Sequence, residues 1–321
     1  MAFAVIGFIV LELSRAVLTE GMYSATNRKP LFNSQLTILL VELVRVGVSY
    51  NLVLRSKRSP SLNNIRPIAV QSLLWCFNNC IYFAALEHAS VATLSILMQL
   101  RLPITGILHH VLVKKQENPL VWIALLIIYA GVVLTQWSNS FSIHDMWTVF
   151  HCLILSSLSS IASIVSEKTM KTVSMPFWDQ QFRVCVLGTI SSAVFLAFSK
   201  GVYVNTESLN PISAAFTIGS ILAAAGAGLF TGIVVKQLDS VVKLIAQAMA
   251  ALATTILIYL AFGIFKAILS CFLIGSLLLV IGTVLYGLET SSNPAHEKFR
   301  ALYRPNDGGN ECVLNDKKKD K

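Results

Sequence analysis

Residues 119–137 read PLVWIALLIIYAGVVLTQW, nineteen positions without an Asp, Glu, Lys, Arg or His. A helix of that length rises far enough to cross ~30 Å of hydrocarbon. The same texture extends in both directions. Of the 321 residues 55% are hydrophobic and 13% charged, about half the charged share of a soluble domain. Thirteen of the charged residues follow Leu285, so the body before it is almost uniformly apolar. The mean hydropathy of +0.68 suits a bundle of membrane-spanning helices and leaves no room for a second soluble domain.

Apolar runs between breakers predict ten helices, near 4–25, 34–54, 67–87, 90–113, 119–137, 146–168, 177–199, 211–236, 239–262 and 266–288. Pro67, Pro119, Pro176 and Pro211 mark starts, where a missing backbone N–H costs nothing. Pro103 falls inside the fourth run and predicts a kink. The first run has no basic stretch before it and is broken by Glu12 and Arg15, so it reads as a retained span rather than a signal peptide.

The net charge of +9 does not gather on one face, as a nucleic-acid partner would require. Loops after the second, fourth and sixth runs, together with the tail, hold most of the Lys and Arg outside the spans; the other side has Arg28, Lys29, Lys200 and Lys266. That bias places both termini in the cytosol, as an even number of spans requires. Residues 1–288 then form one ten-helix transmembrane domain, with repeats of about 1–140 and 141–288, and 289–321 form a charged cytosolic tail. An offset of 150 aligns Ser90, Val91, Leu94 and Thr105 with Ser240, Val241, Leu244 and Thr255. Five spans being odd, the second half is expected to be inverted.

Ionisable groups at membrane depth need a partner or a water-filled cavity. Glu12 with Arg15, Glu42 with Arg45, and Asp179 with Arg183 are spaced to pair along one helix face. Arg101 has no acidic residue within two turns, and Lys243 has only Asp239 one turn before it. These two cations suit a diphosphate, Arg101 as a planar fork and Lys243 as a point charge. The alternative for Lys243 is a chain that snorkels from a span end to the surface. Asn78, Asn79, Tyr82, Gln99, Gln180 and Gln181 are neutral polar groups able to read a base or sugar, or to bond helix to helix. The serine run from Ser156 to Ser163 and the small residues Ala223 to Gly228 fit close helix packing.

No enzyme constellation, cofactor loop or metal cluster is legible: His109 and His110 lack acidic neighbours in sequence, and neither a GxGxxG nor a Walker loop occurs. The six cysteines mostly lie in apolar runs and are expected to be free thiols.

From Asn78 to Lys115 the chain reads NNCIYFAALEHASVATLSILMQLRLPITGILHHVLVKK, followed at Tyr129 by YAGVVLTQW. With VELVR at Val41, SEKTMK at Ser166 and VVKQLDSVVK at Val234, this resembles the nucleotide-sugar transporters of the CMP-sialic acid, UDP-galactose and UDP-N-acetylglucosamine group. Those carry NN-x-x-Y-x-AL, QLK, GV-x-x-x-QW, AEL-x-K, FEK-x-x-K and VVKYADNILK in the same order. The resemblance implies an all-α membrane protein of ten helices in two inverted five-helix repeats, without a cofactor. It implies antiport of a nucleotide sugar, UDP-linked by preference, from cytosol into the Golgi or endoplasmic reticulum lumen against the nucleoside monophosphate. Arg101 and Lys243 match lysines associated with phosphate; Asn78, Asn79, Tyr82 and Gln99 match directly; Gln181 stands for an asparagine, Ser159 for a serine, and Glu42 and Arg45 for the acidic and basic positions of AEL-x-K.

Leu94 and Met98 replace tyrosines of that pattern, Ser240 replaces its asparagine, and Leu244 with Ile245 replaces Gly-Phe. The departures keep open a non-transporting paralogue that assembles with family transporters or glycosyltransferases. Lys318 and Lys319 are placed as in a dilysine K-K-x-x retrieval signal, which implies the COPI coat as a partner.

Overall fold

The computed structural model describes residues 2–26, 31–32, 34–56, 66–88, 97–113, 118–137, 146–172, 175–198, 210–262 and 268–292. Within these lie α1 (Ala2–Ala25), α2 (Ser34–Arg55), α3 (Arg66–His88), α4 (Arg101–Val113), α5 (Pro119–Gln136), α6 (Met146–Thr172), α7 (Phe177–Phe198), α8 (Pro211–Gln237), α9 (Ser240–Phe262) and α10 (Leu269–Ser292). The chain is an all-α membrane protein: among the described residues α2, α6, α7, α8, α9 and α10 are each long and apolar enough to cross a bilayer. The side chains of Asn79 and Tyr82 lie outside the described set, as do Lys318 and Lys319 with the rest of the tail.

Local chemistry sets the helix starts. Pro119 and Pro211 occupy the first turns of α5 and α8. Asn210 caps α8 through a capping box in which Ser213 Oγ accepts the Asn210 N–H at 3.0 Å. Residues 90–96 of the expected fourth span lie outside the described residues, and within 97–113 Pro103 does not fall in the middle of one α-helix. It sits in the first turn of α4, directly after a 3₁₀ turn at Met98–Leu100. Its missing N–H leaves the carbonyl of Gln99 without an α-helical donor, which favours a helix start there. Hydroxyls of α6 serve this junction: Ser160 Oγ donates to the Arg101 carbonyl at 3.2 Å, and Thr105 Oγ1 donates to Ser160 Oγ at 3.0 Å. The serine run thus packs α4 against α6 through hydrogen bonds as well as small volume. Helix α10 continues to Ser292, past the expected end at 288, since a helix keeps its backbone bonds beyond the apolar stretch.

The packing is pairwise. Helix α5 lies on α10, α1 on α8 and α9, α2 on α7 and α8, and α3 and α4 on α6, with α3 also touching α7. The α5–α10 contact brings backbone to backbone. A Cβ on Gly131 would stand 2.6 Å from the Leu279 nitrogen, and one on Gly275 2.6 Å from the Thr135 nitrogen. Ala124, Ile128, Leu244 and Leu279 fill the core between α5, α9 and α10. Phe8, Val234 and Ala246 close a second core between α1, α8 and α9. Cys152, Cys185 and Cys271 are free thiols.

Gly131→Ala should lower the melting temperature of the purified protein, by about 1–3 kcal/mol of stability, because the added methyl meets rigid backbone. Gly47→Ala, whose Cβ meets nothing within 4 Å, should leave the melting temperature unchanged or raise it. Equal melting of both variants and wild type would remove the α5–α10 contact as a stability determinant.

Candidate functional site

A cavity of about 260 Å³ opens between α2, α3, α6, α7, α8 and the start of α9. Its wall carries the Glu42–Arg45 pair of α2, Gln181 of α7 and Lys243 of α9, four of the residues singled out from sequence. Glycines make room for them. A Cβ on Gly188 would stand 2.9 Å from Glu42 Oε2, one on Gly228 2.9 Å from Arg45 Nε, and one on Gly232 2.6 Å from Gln181 Oε1.

Charge within the wall is asymmetric. Arg45 Nη1 donates to Glu42 Oε1 at 2.5 Å, so that pair neutralises itself. Lys243 is 7% exposed, so its chain does not snorkel to the surface. It makes no ion pair among the described residues. Its ammonium donates to Ser163 Oγ at 3.4 Å and lies 5.3 Å from the Trp75 ring centroid. Neither contact cancels the charge, and the lining totals one net positive charge.

Buried polar atoms along the wall lack protein partners. Glu42 Oε2, Arg45 Nε, Gln71 Oε1, Ser72 Oγ and Gln181 Oε1 make no hydrogen bond among the described residues. Buried groups left in that state are costly unless water or a ligand meets them. The cavity is therefore chemically prepared for a polar, anionic guest.

Arg101 is placed elsewhere. It lines a separate hollow of about 10 Å³ with Gln99, Tyr129 and Leu244, a space for no more than one water. Arg101 and Lys243 do not share a cavity, although they lie within electrostatic reach of each other and of Glu12. Glu12 in turn accepts from Arg15 at 2.6 Å, as its spacing predicts. Asn78 is buried with Oδ1 unpartnered, and Ser159 is buried; neither lines a described hollow.

Two sequence expectations need correction. Asp179 and Arg183 make no ion pair among the described residues, and Asp179 Oδ1, Arg183 Nε and Arg183 Nη1 have no partner. Spacing permits such a pair but does not fix both rotamers. His109 does have an acidic neighbour: it is 3% exposed, with Nε2 3.4 Å from Glu167 Oε1 across the α4–α6 contact. Sequence reading also missed Gln71, Ser72, Trp75 and Ser166. Gln71, Trp75 and Asn78 recur at helical spacing on α3, a stripe that was available as a signal.

Comparison with known proteins bears on this arrangement. The model of the family described as nucleotide-sugar transporter matches residues 1–287. The chain belongs to the nucleotide-sugar transporter family. The UDP-N-acetylglucosamine transporter of Rattus norvegicus is 24% identical over 88% of this chain and 94% of its own length. The CMP-sialic acid transporter 1 of Oryza sativa subsp. japonica is 24% identical over 86% and 91%. The UDP-galactose translocator of Homo sapiens is 25% identical over 71% and 59%. A solved crystal structure superposes with a TM-score of 0.70 at 18% identity, covering 89% of this chain and 96% of the other, a likeness of fold. In this member of the nucleotide-sugar transporter family, the cavity wall among the described residues holds Lys243 without an ion pair.

Glu42→Ala should destabilise the protein by roughly 3 kcal/mol, because it leaves the Arg45 guanidinium buried without a counter-charge. The double variant Glu42→Ala with Arg45→Ala should recover part of that loss in thermal melting of the purified protein. A double variant less stable than the single one would contradict the pairing.

Proposed function

We propose that the chain is an antiporter that carries a UDP-linked sugar from the cytosol into the Golgi or endoplasmic reticulum lumen in exchange for UMP. The observation that carries this reading is Lys243, buried in the wall of the cavity with no ion pair among the described residues. A phosphate supplies the missing anion. Arg45, Gln181 and Gln71 then offer hydrogen bonds to the neutral parts of the same molecule, in keeping with their unpartnered atoms. A nucleotide sugar and a nucleoside monophosphate both present phosphate to Lys243, so they compete for one site, and exchange follows if only the loaded carrier switches readily. The UDP preference comes from relatives named for UDP-N-acetylglucosamine and UDP-galactose.

Alternating access in this reading rests on ten spans in two inverted halves, both termini cytosolic. Helix contacts are in keeping with two related halves: adding five to each member of the α1–α8 contact returns α6–α3, and α1–α9 returns α6–α4. The contacts α2–α7, α4–α9 and α5–α10 return themselves under the same operation. A two-fold relation between halves produces that pattern. Arg101, just outside the cavity and near Lys243 electrostatically, acts as a second phosphate ligand when the halves rock. Asn78, Asn79, Tyr82, Gln99 and Ser159 belong to the same central region in this reading. Lys318 and Lys319 return the protein toward the endoplasmic reticulum through the COPI coat.

Liposomes bearing the purified protein and preloaded with UMP should take up labelled UDP-sugars faster than empty liposomes or those preloaded with CMP or GMP. Lys243→Ala should abolish the stimulation at unchanged protein level, and Arg101→Ala should reduce it at least tenfold. No stimulation by any monophosphate, from folded protein, would overturn the exchange reading.

A further inference from the structure

Helix α9 begins at Ser240, one turn before Lys243, and the first N–H groups of a helix have no partner within it. Two carboxylates meet them. Asp239 Oδ1 accepts from the Val242 N–H at 2.8 Å, and Glu167 Oε2, reaching across from α6, accepts from the Ser240 N–H at 2.8 Å. Glu167 Oε1 accepts from Lys171 Nζ at 2.6 Å and faces His109 Nε2 of α4 at 3.4 Å. Lys171 Nζ also donates to the carbonyl of Leu238, the first residue after α8, at 2.5 Å. One i,i+4 pair of α6 therefore holds both sides of the α8–α9 turn. A shorter tie lies beside it: Ser240 Oγ donates to the Ser163 carbonyl at 3.0 Å, and Ser163 Oγ accepts from Lys243 Nζ.

Glu167, His109 and Lys171 do not line the cavity, and both carboxylate oxygens of Glu167 have protein partners. Glu167 is 3% exposed, and burying an ion pair that meets no guest adds little stability. What the group does fix is register. A negative charge at the start of α9 is favoured by the helix dipole and sets how far α9 slides or rotates against α6. That placement determines where the Lys243 ammonium stands relative to Ser163 and the Trp75 ring. We propose that Glu167 is a positioning residue for the anion site: by clamping the first turn of α9 to α6, it holds Lys243 aimed into the cavity without touching the ligand. The inference rests on the reading of Lys243 as the phosphate-binding cation.

The test measures UMP binding to the purified full chain in detergent, for wild type, Glu167→Gln, Lys243→Gln and the double variant. Glu167→Gln should weaken UMP roughly tenfold, as a small misplacement of a binding group does. Because Glu167 acts through Lys243, the double variant should bind UMP within about twofold of Lys243→Gln alone. A role confined to general stability would instead lower binding additively. Should Glu167→Gln melt below the assay temperature, Ser240→Pro removes the N–H that donates to Glu167, at a helix position suited to proline, and should weaken UMP to a similar degree beyond Ser240→Ala, which loses only the hydroxyl bond to Ser163. Wild-type binding with unaltered affinity in the folded variant, or additive losses in the double, would overturn the inference alone. A wild type that fails to bind UMP would overturn the nucleotide reading, and the clamp's assigned purpose with it.

Discussion

Lys243 is a lysine buried inside an apolar helical body with no ion-pair partner among the described residues, and the arrangement around it follows from that fact. A charge at such depth is tolerated where a cavity admits water or a guest. The neighbouring groups leave its charge intact: a serine hydroxyl at the edge of hydrogen-bond range and an indole face. Arg45, by contrast, is neutralised one turn away by Glu42 and contributes a dipole rather than a net charge. The cavity wall therefore carries one buried lysine without an ion pair and several unpartnered polar atoms among the described residues, which distinguishes it from a packing defect between helices.

Small residues on the neighbouring helices make this arrangement possible. Gly188, Gly228 and Gly232 leave the volume into which Glu42, Arg45 and Gln181 extend. Without those gaps the polar side chains would be forced off their helices or out of the wall. Elsewhere small residues do the opposite. At Gly131 and Gly275 they let two backbones meet and exclude everything else. One residue type thus builds both a backbone-to-backbone helix contact and the room for the cavity's polar side chains, depending on whether a long side chain or a backbone faces it.

Distant parts of the chain converge on the turn between α8 and α9. Acid from α6, imidazole from α4 and the caps of α9 itself meet there, all buried. The turn is consequently tied by hydrogen bonds to α6 rather than to the cavity's opposite wall on α2.

The helical character of the body, the approximate spans and the self-neutralising Glu12–Arg15 and Glu42–Arg45 pairs were legible in the sequence, because periodicity, hydropathy and i,i+3 spacing are local properties. The order of motifs from Asn78 to Lys243 likewise pointed to the family that comparison established. Three features were settled only by tertiary structure. Arg101 and Lys243 line different hollows, His109 meets Glu167 across 58 residues of sequence, and Gln71 with Trp75 joins the cavity wall. Each depends on which faces of separate helices meet. A single sequence records the faces but carries no measure of the distance between them.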